Sequence, residues 1–266
     1  MKQPSSRKKI GLALSGGSVR GAAHLGVLEV LERNGIRPDL VSGTSAGSVV
    51  GAVYCAGMPL DQIETLAQKM QWRNVGHLTR PRLGFFDSRR MEDYLIQLIG
   101  DLSFDQLEIP LSTVAVDILS GELVIMNKGR VVTGVRASCA LPGIFTPVEW
   151  EDRLLVDGGL LNNLPVSVVR DMGADYVIAV DLLPPSMLPE RPTSILSMWY
   201  ATVYTAMRAT HMEATSADCV ITPEVGPFVW TDFSKTPALI QLGRDATEAK
   251  IAQIRQDLHL DAEDVA

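Results

Sequence analysis

Apolar residues fall along this chain in two kinds of run. Short continuous runs at Ile10–Leu14, Leu40–Ser42, Leu111–Ile118, Leu154–Val156 and Tyr176–Val180 are bounded by Gly, Pro, Asp or Ser and predict buried strands. Between them apolar positions recur every three or four residues and predict helices. His24, Val27, Leu28 and Leu31 mark one, stopped at Asn34-Gly35. The elbow helix that follows the second strand ends near Gly57, and Pro59 starts another. Met91, Tyr94, Leu95, Leu98 and Ile99 mark a helix capped by Asp87 or Ser88. Ile240, Ile251, Ile254 and Leu258 mark the last.

Glu122–Met126 pairs back on the preceding strand around Ser120-Gly121. Val148–Trp150 and Leu154–Val156 form a hairpin around Glu151-Asp152-Arg153 that runs into Asp157-Gly158-Gly159. A small-residue helix covers Thr133–Ala140, and a long apolar helix from about Ser194 to Ala214 reads as core or as a self-association face. Asp218–Ile221 is the last strand. Trp72–Phe86 has no period and reads as a long loop, and Pro184, Pro185, Pro189 and Pro192 mark a stiff surface connection. Strands alternating with helices predict one α/β domain over residues 9–256, with an acidic tail at 257–266 that frays.

Composition narrows the functional classes. The 266 residues are 46% hydrophobic and 21% charged, as in ordinary soluble domains. A net charge of −7 argues against nucleic acid and against general attraction to anionic lipid. Cys55, Cys139 and Cys219 are odd in number, far apart and in apolar or small-residue settings, which predicts buried reduced thiols rather than a metal site. No apolar run reaches the ~18 residues of a transmembrane helix. The basic segment Met1–Lys9 leads into a short strand, not the apolar core of a signal peptide. The expected location is cytoplasmic, with any membrane contact peripheral.

Candidate chemistry begins at Gly43-Thr44-Ser45-Ala46-Gly47, a G-x-S-x-G pentapeptide between a strand and a helix. That setting forces a sharp turn which lifts a serine hydroxyl clear of the sheet. A serine needs a base. Of four histidines, His211 lies inside a helical run, His259 in the trailing segment, His24 on an apolar helix face and His77 in the unpatterned loop. None stands at a strand end. Asp157 does, followed by two glycines that permit close backbone approach, and a Ser45–Asp157 dyad is the favoured reading. A carboxylate is a weak base near neutrality unless burial raises its pKa.

Ser15-Gly16-Gly17-Ser18-Val19-Arg20-Gly21 supplies a third part. Glycine N–H groups before a helix suit an oxyanion, with Gly16, Gly17 and Ser18 the expected donors. Arg20 serves either the site or an internal carboxylate. A nucleotide cradle fits poorly, because Ser18 occupies the middle glycine position of G-x-G-x-x-G.

These blocks, together with Ala137-Ser138-Cys139-Ala140-Leu141-Pro142-Gly143-Ile144-Phe145-Thr146-Pro147, resemble the patatin-like phospholipases, and within them the compact bacterial members. The resemblance spans roughly residues 9 to 182. It implies a three-layer α/β/α fold with a mainly parallel sheet, a Ser–Asp dyad for acyl ester hydrolysis, an oxyanion hole in the first glycine loop, and lipid substrates. Ser15 departs mildly from the glycine-richer family pattern.

The expected function is therefore lipid acyl ester hydrolysis through an acyl-enzyme on Ser45, with no cofactor and no metal. A soluble esterase or thioesterase, and a non-catalytic regulator retaining the fold, are the alternatives. The Trp72–Arg90 segment interleaves Arg73, Arg80, Arg82, Arg89 and Arg90 with Trp72, Leu78, Leu83, Phe85 and Phe86. It reads either as a lipid-surface contact or as a loop packed over the sheet.

Overall fold

The structure, a computed structural model, describes residues 7–79, 82–184, 191–226, 228–229 and 231–260. Arg80, Pro185, Pro189 and most of the acidic tail lie outside them.

Strands β1 (Ile10–Leu14), β2 (Leu40–Thr44), β5 (Leu111–Asp117), β10 (Tyr176–Val180) and β11 (Cys219–Ile221) run parallel in the order β11-β10-β1-β2-β5. Three strands join antiparallel. β6 (Glu122–Met126) and β9 (Arg153–Asp157) pair with β5, and β8 (Val148–Trp150) pairs with β9. The parallel strands are continuous apolar runs because both faces are covered.

The two faces are covered unequally. The thicker layer packs helices α1 (Ala23–Arg33), α2 (Ala46–Cys55), α3 (Leu60–Lys69), α5 (Arg89–Ile99), α6 (Val131–Ser138) and α9 (Thr236–Asp257) against Leu12, Leu14, Val41, Leu111, Ala115 and Ile178. The thinner layer is the short helix α7 (Val166–Asp171) and the 3-10 segment Thr210–Ser216, packed on Ala13, Val177 and Ala179. The three-layer α/β/α arrangement with a mainly parallel sheet is thus present.

Two expectations need correction. Trp72–Phe86 is not a plain loop. It holds a one-turn helix, α4 (Trp72–Val75), and strands β3 (His77–Leu78) and β4 (Gly84–Asp87). β4 pairs parallel with β7 (Gly143–Phe145), a contact between distant segments that leaves no local period. Helix α8 (Ile195–Ala209) is not core, since only Tyr204 along it is buried and Ile195 is 93% exposed. Its first turn exposes Ile195, Leu196 and Met198, whereas Tyr200, Val203, Tyr204 and Met207 line a cavity. Among the described residues no helix is long and apolar enough to cross a membrane.

Candidate active site

Ser45 stands between the end of β2 and the start of α2 with φ 50° and ψ −120°, outside the usual basins for a side-chain-bearing residue. Holding it there costs of order 1–3 kcal/mol, which the surroundings offset. Its N–H donates to Ser138 Oγ at 2.8 Å, and its carbonyl accepts from Ser48 Oγ at 2.6 Å and Ser48 N–H at 2.8 Å. The flanking glycines are required by space. A Cβ on Gly47 would lie 2.2 Å from the Leu14 carbonyl oxygen, and one on Gly43 would lie 2.6 Å from the Gly47 carbonyl oxygen.

Asp157 ends β9, opposite Ala115 of β5. The β8–β9 hairpin returns the chain antiparallel, so this strand finishes beside the elbow. Its N–H donates to the Ala140 carbonyl at 3.0 Å, and its carboxylate accepts the Gly159 N–H at 2.8 Å. Ser45 and that carboxylate line the same cavity. Burial raises the Asp157 pKa to about 7, against the opposing pull of the Gly159 N–H and the Ser45 hydroxyl. The two residues singled out from sequence thus face one cavity.

The glycine loop is pinned from below. Ser15 N–H donates to the Val180 carbonyl at 3.2 Å, and Ser15 Oγ accepts the Leu182 N–H at 3.0 Å. His24 Nε2 sits 2.9 Å from the Ser15 carbonyl and must carry the proton, since a carbonyl only accepts. Burial lowers the His24 pKa to about 4, so the ring is a neutral core strut. Of the three expected oxyanion donors, Gly16 is corrected. Its N–H is already given to the Asn163 carbonyl at 3.1 Å. Gly17 and Ser18 follow, opening the 3-10 turn Ser18–Ala22 with Ser18 at φ 53°.

Arg20, buried, donates through both Nε and Nη2 to the Phe228 carbonyl at 3.0 and 2.8 Å, and hydrogen-bonds Tyr200. It ties Phe228 to the loop, and its partner there is a backbone carbonyl rather than a carboxylate.

Ser45, Asp157, Gly16, Gly17 and Ser18 line one end of a cavity of about 220 Å³. The rest of its wall includes Val49, Val50, Leu66, Leu98, Ile144 and Val203. No described histidine lines it. His77 lies in β3 near Asp87, and His259 is exposed. Among the described residues no three His, Cys, Asp or Glu side chains converge as metal ligands.

Three residues at the site escaped the sequence reading of roles. Ser138 holds the elbow N–H. Cys139 lies within hydrogen-bonding reach of Ser45, with burial first and Asp157 second raising its thiol pKa to about 12. Asn163, buried, lies against Gly16 and Gly159 with its Oδ1 unpartnered. The only available signal was proximity in sequence, since Ser138 and Cys139 lie in the block quoted above and Asn163 follows Asp157-Gly158-Gly159 closely.

Comparison with known proteins agrees with this arrangement. A profile of the family described as patatin-like phospholipase matches residues 12–170, and the chain belongs to that family. An uncharacterized NTE family protein of Mycobacterium tuberculosis is 36% identical over 181 residues, covering 67% of this chain and 50% of the relative. The Drosophila melanogaster neuropathy target esterase sws is 35% identical over 184 residues, covering 65% of this chain and 13% of that protein. The chain thus spans half or less of these relatives. Among solved structures, VipD from Legionella pneumophila superposes with a TM-score of 0.59 at 15% identity, covering 93% of this chain and 67% of VipD. The ExoU–SpcU complex from Pseudomonas aeruginosa gives 0.52 at 16%, covering 96% and 53%. Both share the fold.

Proposed function

We propose that the protein hydrolyses acyl esters of lipids, with Ser45 as nucleophile and Asp157 as its base. The observation that carries this reading is a serine on a strained elbow that lines one apolar cavity together with a buried carboxylate. Ser45 attacks the ester carbonyl as Asp157 takes its proton. The Gly17 and Ser18 N–H groups face the oxyanion. Asp157 returns the proton to the leaving alcohol, then activates a water that releases the fatty acid from Ser45. A base with a pKa near 7 is well matched to proton transfer at neutral pH. The apolar wall takes the acyl chain. The family's description, patatin-like phospholipase, supports lipid esters over small soluble ones.

The cavity mouth supports contact with a lipid surface. Leu83 and Phe85, exposed, flank Gly84, which pairs with Gly143, and Gly143 packs against Trp199 of α8. Exposed Ile195, Leu196 and Met198 continue the apolar rim, with Arg82 and Arg90 exposed nearby in sequence to Leu83 and Phe85. This favours the lipid-surface reading of Trp72–Arg90 over the packed-loop one and extends it onto a helix read from sequence as core or as a self-association face.

The test is an ester panel, from monomeric short-chain esters to aggregated lysophospholipid, run beside Ser45→Ala with organophosphonate labelling. Phosphonate on Ser45 with preference for long-chain lipid is the expected result. No labelling of a folded sample would favour a non-catalytic role, and preference for short soluble esters would favour the esterase alternative.

A further inference from the structure

Asn163 is pinned through its main chain, while its side-chain oxygen is unused. Its N–H donates to Thr210 Oγ1 at 3.1 Å, and its carbonyl accepts the Gly16 N–H at 3.1 Å. The residue is 3% exposed, and its Oδ1 is buried without a hydrogen-bond partner. A buried acceptor left unpaired is costly, and each such group in a native structure needs a reason. Among the described residues that line the cavity, no other carries a buried side-chain polar atom without a partner.

That oxygen lies beside Ser45 and Asp157. The point where a Cβ on Gly159 would stand is 2.9 Å from Asn163 Oδ1 and 3.1 Å from Asp157 Oδ1. The corresponding point on Gly16 is 2.6 Å from Asn163 Oδ1 and 3.2 Å from Ser45 Cβ. Two glycines, which bring no side chain, are all that these positions hold between the amide oxygen, the carboxylate and the serine. The wall beyond is mostly apolar, with Val49, Val50, Ile144 and Val203 among its residues.

The two steps of ester hydrolysis on Ser45 differ in the hydrogens their nucleophiles bring. In acylation the nucleophile is a hydroxyl with one hydrogen, which Asp157 takes. In deacylation it is water, with two. One passes to Asp157 as the water oxygen bonds the acyl carbon. The other stays on that oxygen and needs an acceptor, because an unpaired O–H among apolar side chains is penalised. We propose, on the footing of the Ser45–Asp157 reading, that Asn163 Oδ1 accepts this second hydrogen and so holds the hydrolytic water between itself and Asp157. Collapse of the tetrahedral intermediate breaks the bond to Ser45 Oγ. Asp157 returns its proton to that oxygen, and the fatty acid leaves with the second hydrogen. Asn163 thus serves hydrolysis of the acyl-enzyme and not its formation.

Partitioning of the acyl-enzyme between water and methanol tests this on the intact chain, with nitrophenyl butyrate as substrate. Methanol attacks with one hydrogen and needs no second acceptor. Asn163→Leu removes the acceptor at similar size and keeps both main-chain hydrogen bonds available. It is expected to release one nitrophenolate per chain at the wild-type acylation rate and then stall, with butyryl-Ser45 visible by intact mass. Hydrolysis is expected to fall ~10²-fold, the cost of a misplaced reactant, and the ratio of methyl butyrate to butyrate to rise accordingly. Asn163→Ala removes the same oxygen without filling its place. It is expected to shift the ratio in the same direction, and it serves if the leucine variant does not fold. An unchanged ratio, or acylation and hydrolysis falling together, would overturn the water-holding role. Organophosphonate labelling separates this from the dyad reading. A labelled wild type with an unchanged ratio in the variants rejects Asn163 alone, whereas a folded wild type that does not label on Ser45 rejects both.

Discussion

The two walls of the cavity are built by different rules. The wall that carries Ser45 and Asp157 is main chain held by short hydrogen bonds. Gly16 is tied to Asn163, Ser45 to Ser138, and Asp157 to Ala140 and Gly159, all within 3.1 Å. Glycines there are too crowded to carry a side chain. The opposite wall is side chains from α3, α5 and α8, several of them half-buried, with few polar contacts. The difference teaches where tolerance lies. Proton transfer needs tenths of an ångström, whereas an acyl chain needs only apolar surface of adequate volume.

Substitutions across the two walls sharpen this contrast. Ser45→Ala and Asp157→Asn should each lower kcat by roughly 10³-fold or more on any ester, measured by fatty acid release. Asp157→Asn should fold, and its stability should respond differently to pH. The folded pKa of Asp157 lies above its unfolded value near 4, so the wild type loses stability as pH rises from about 4 through about 7. The asparagine protein lacks that decline, and urea titrations at pH 5 and pH 8 will read it.

Gly47→Ala drives a methyl into the Leu14 carbonyl and should cost about 3 kcal/mol, seen as a lower urea midpoint or as insoluble protein. With the wild type, kcat/KM should fall tenfold per pH unit below about 7, because Asp157 must be ionised to act as base. A flat profile from pH 5 to 8 would move the base elsewhere.

The apolar wall should answer more softly. Val203→Trp fills the cavity and should lower kcat/KM on long-chain esters by about tenfold while sparing acetyl esters. Phe85→Ser, at the rim, should cost only a few-fold and only on aggregated substrate.

Much of this wall-by-wall contrast was legible before any coordinates. The strands at Ile10–Leu14 and Tyr176–Val180 and the elbow at Ser45 follow from local pattern, because buried parallel strands and tight turns restrict residue type strongly. His24 as a core imidazole followed from its place on an apolar helix face. The occupation of the Gly16 N–H by Asn163 could not be read, since it joins segments 147 residues apart through main-chain atoms that any sequence possesses. β7, which pairs with β4, and α7 carried too few residues to show a period.

From the sequence alone came the main strands, the long periodic helices and the turns that carry Ser45 and Asp157, because each depends on short-range sterics and on side-chain chemistry. Tertiary structure alone decided that the Gly16 N–H is taken by the Asn163 carbonyl, and that α8 exposes Ile195, Leu196 and Met198 while Val203 and Met207 line the cavity. Those outcomes depend on which backbone groups and surfaces are already occupied, and occupancy is a property of the packed chain.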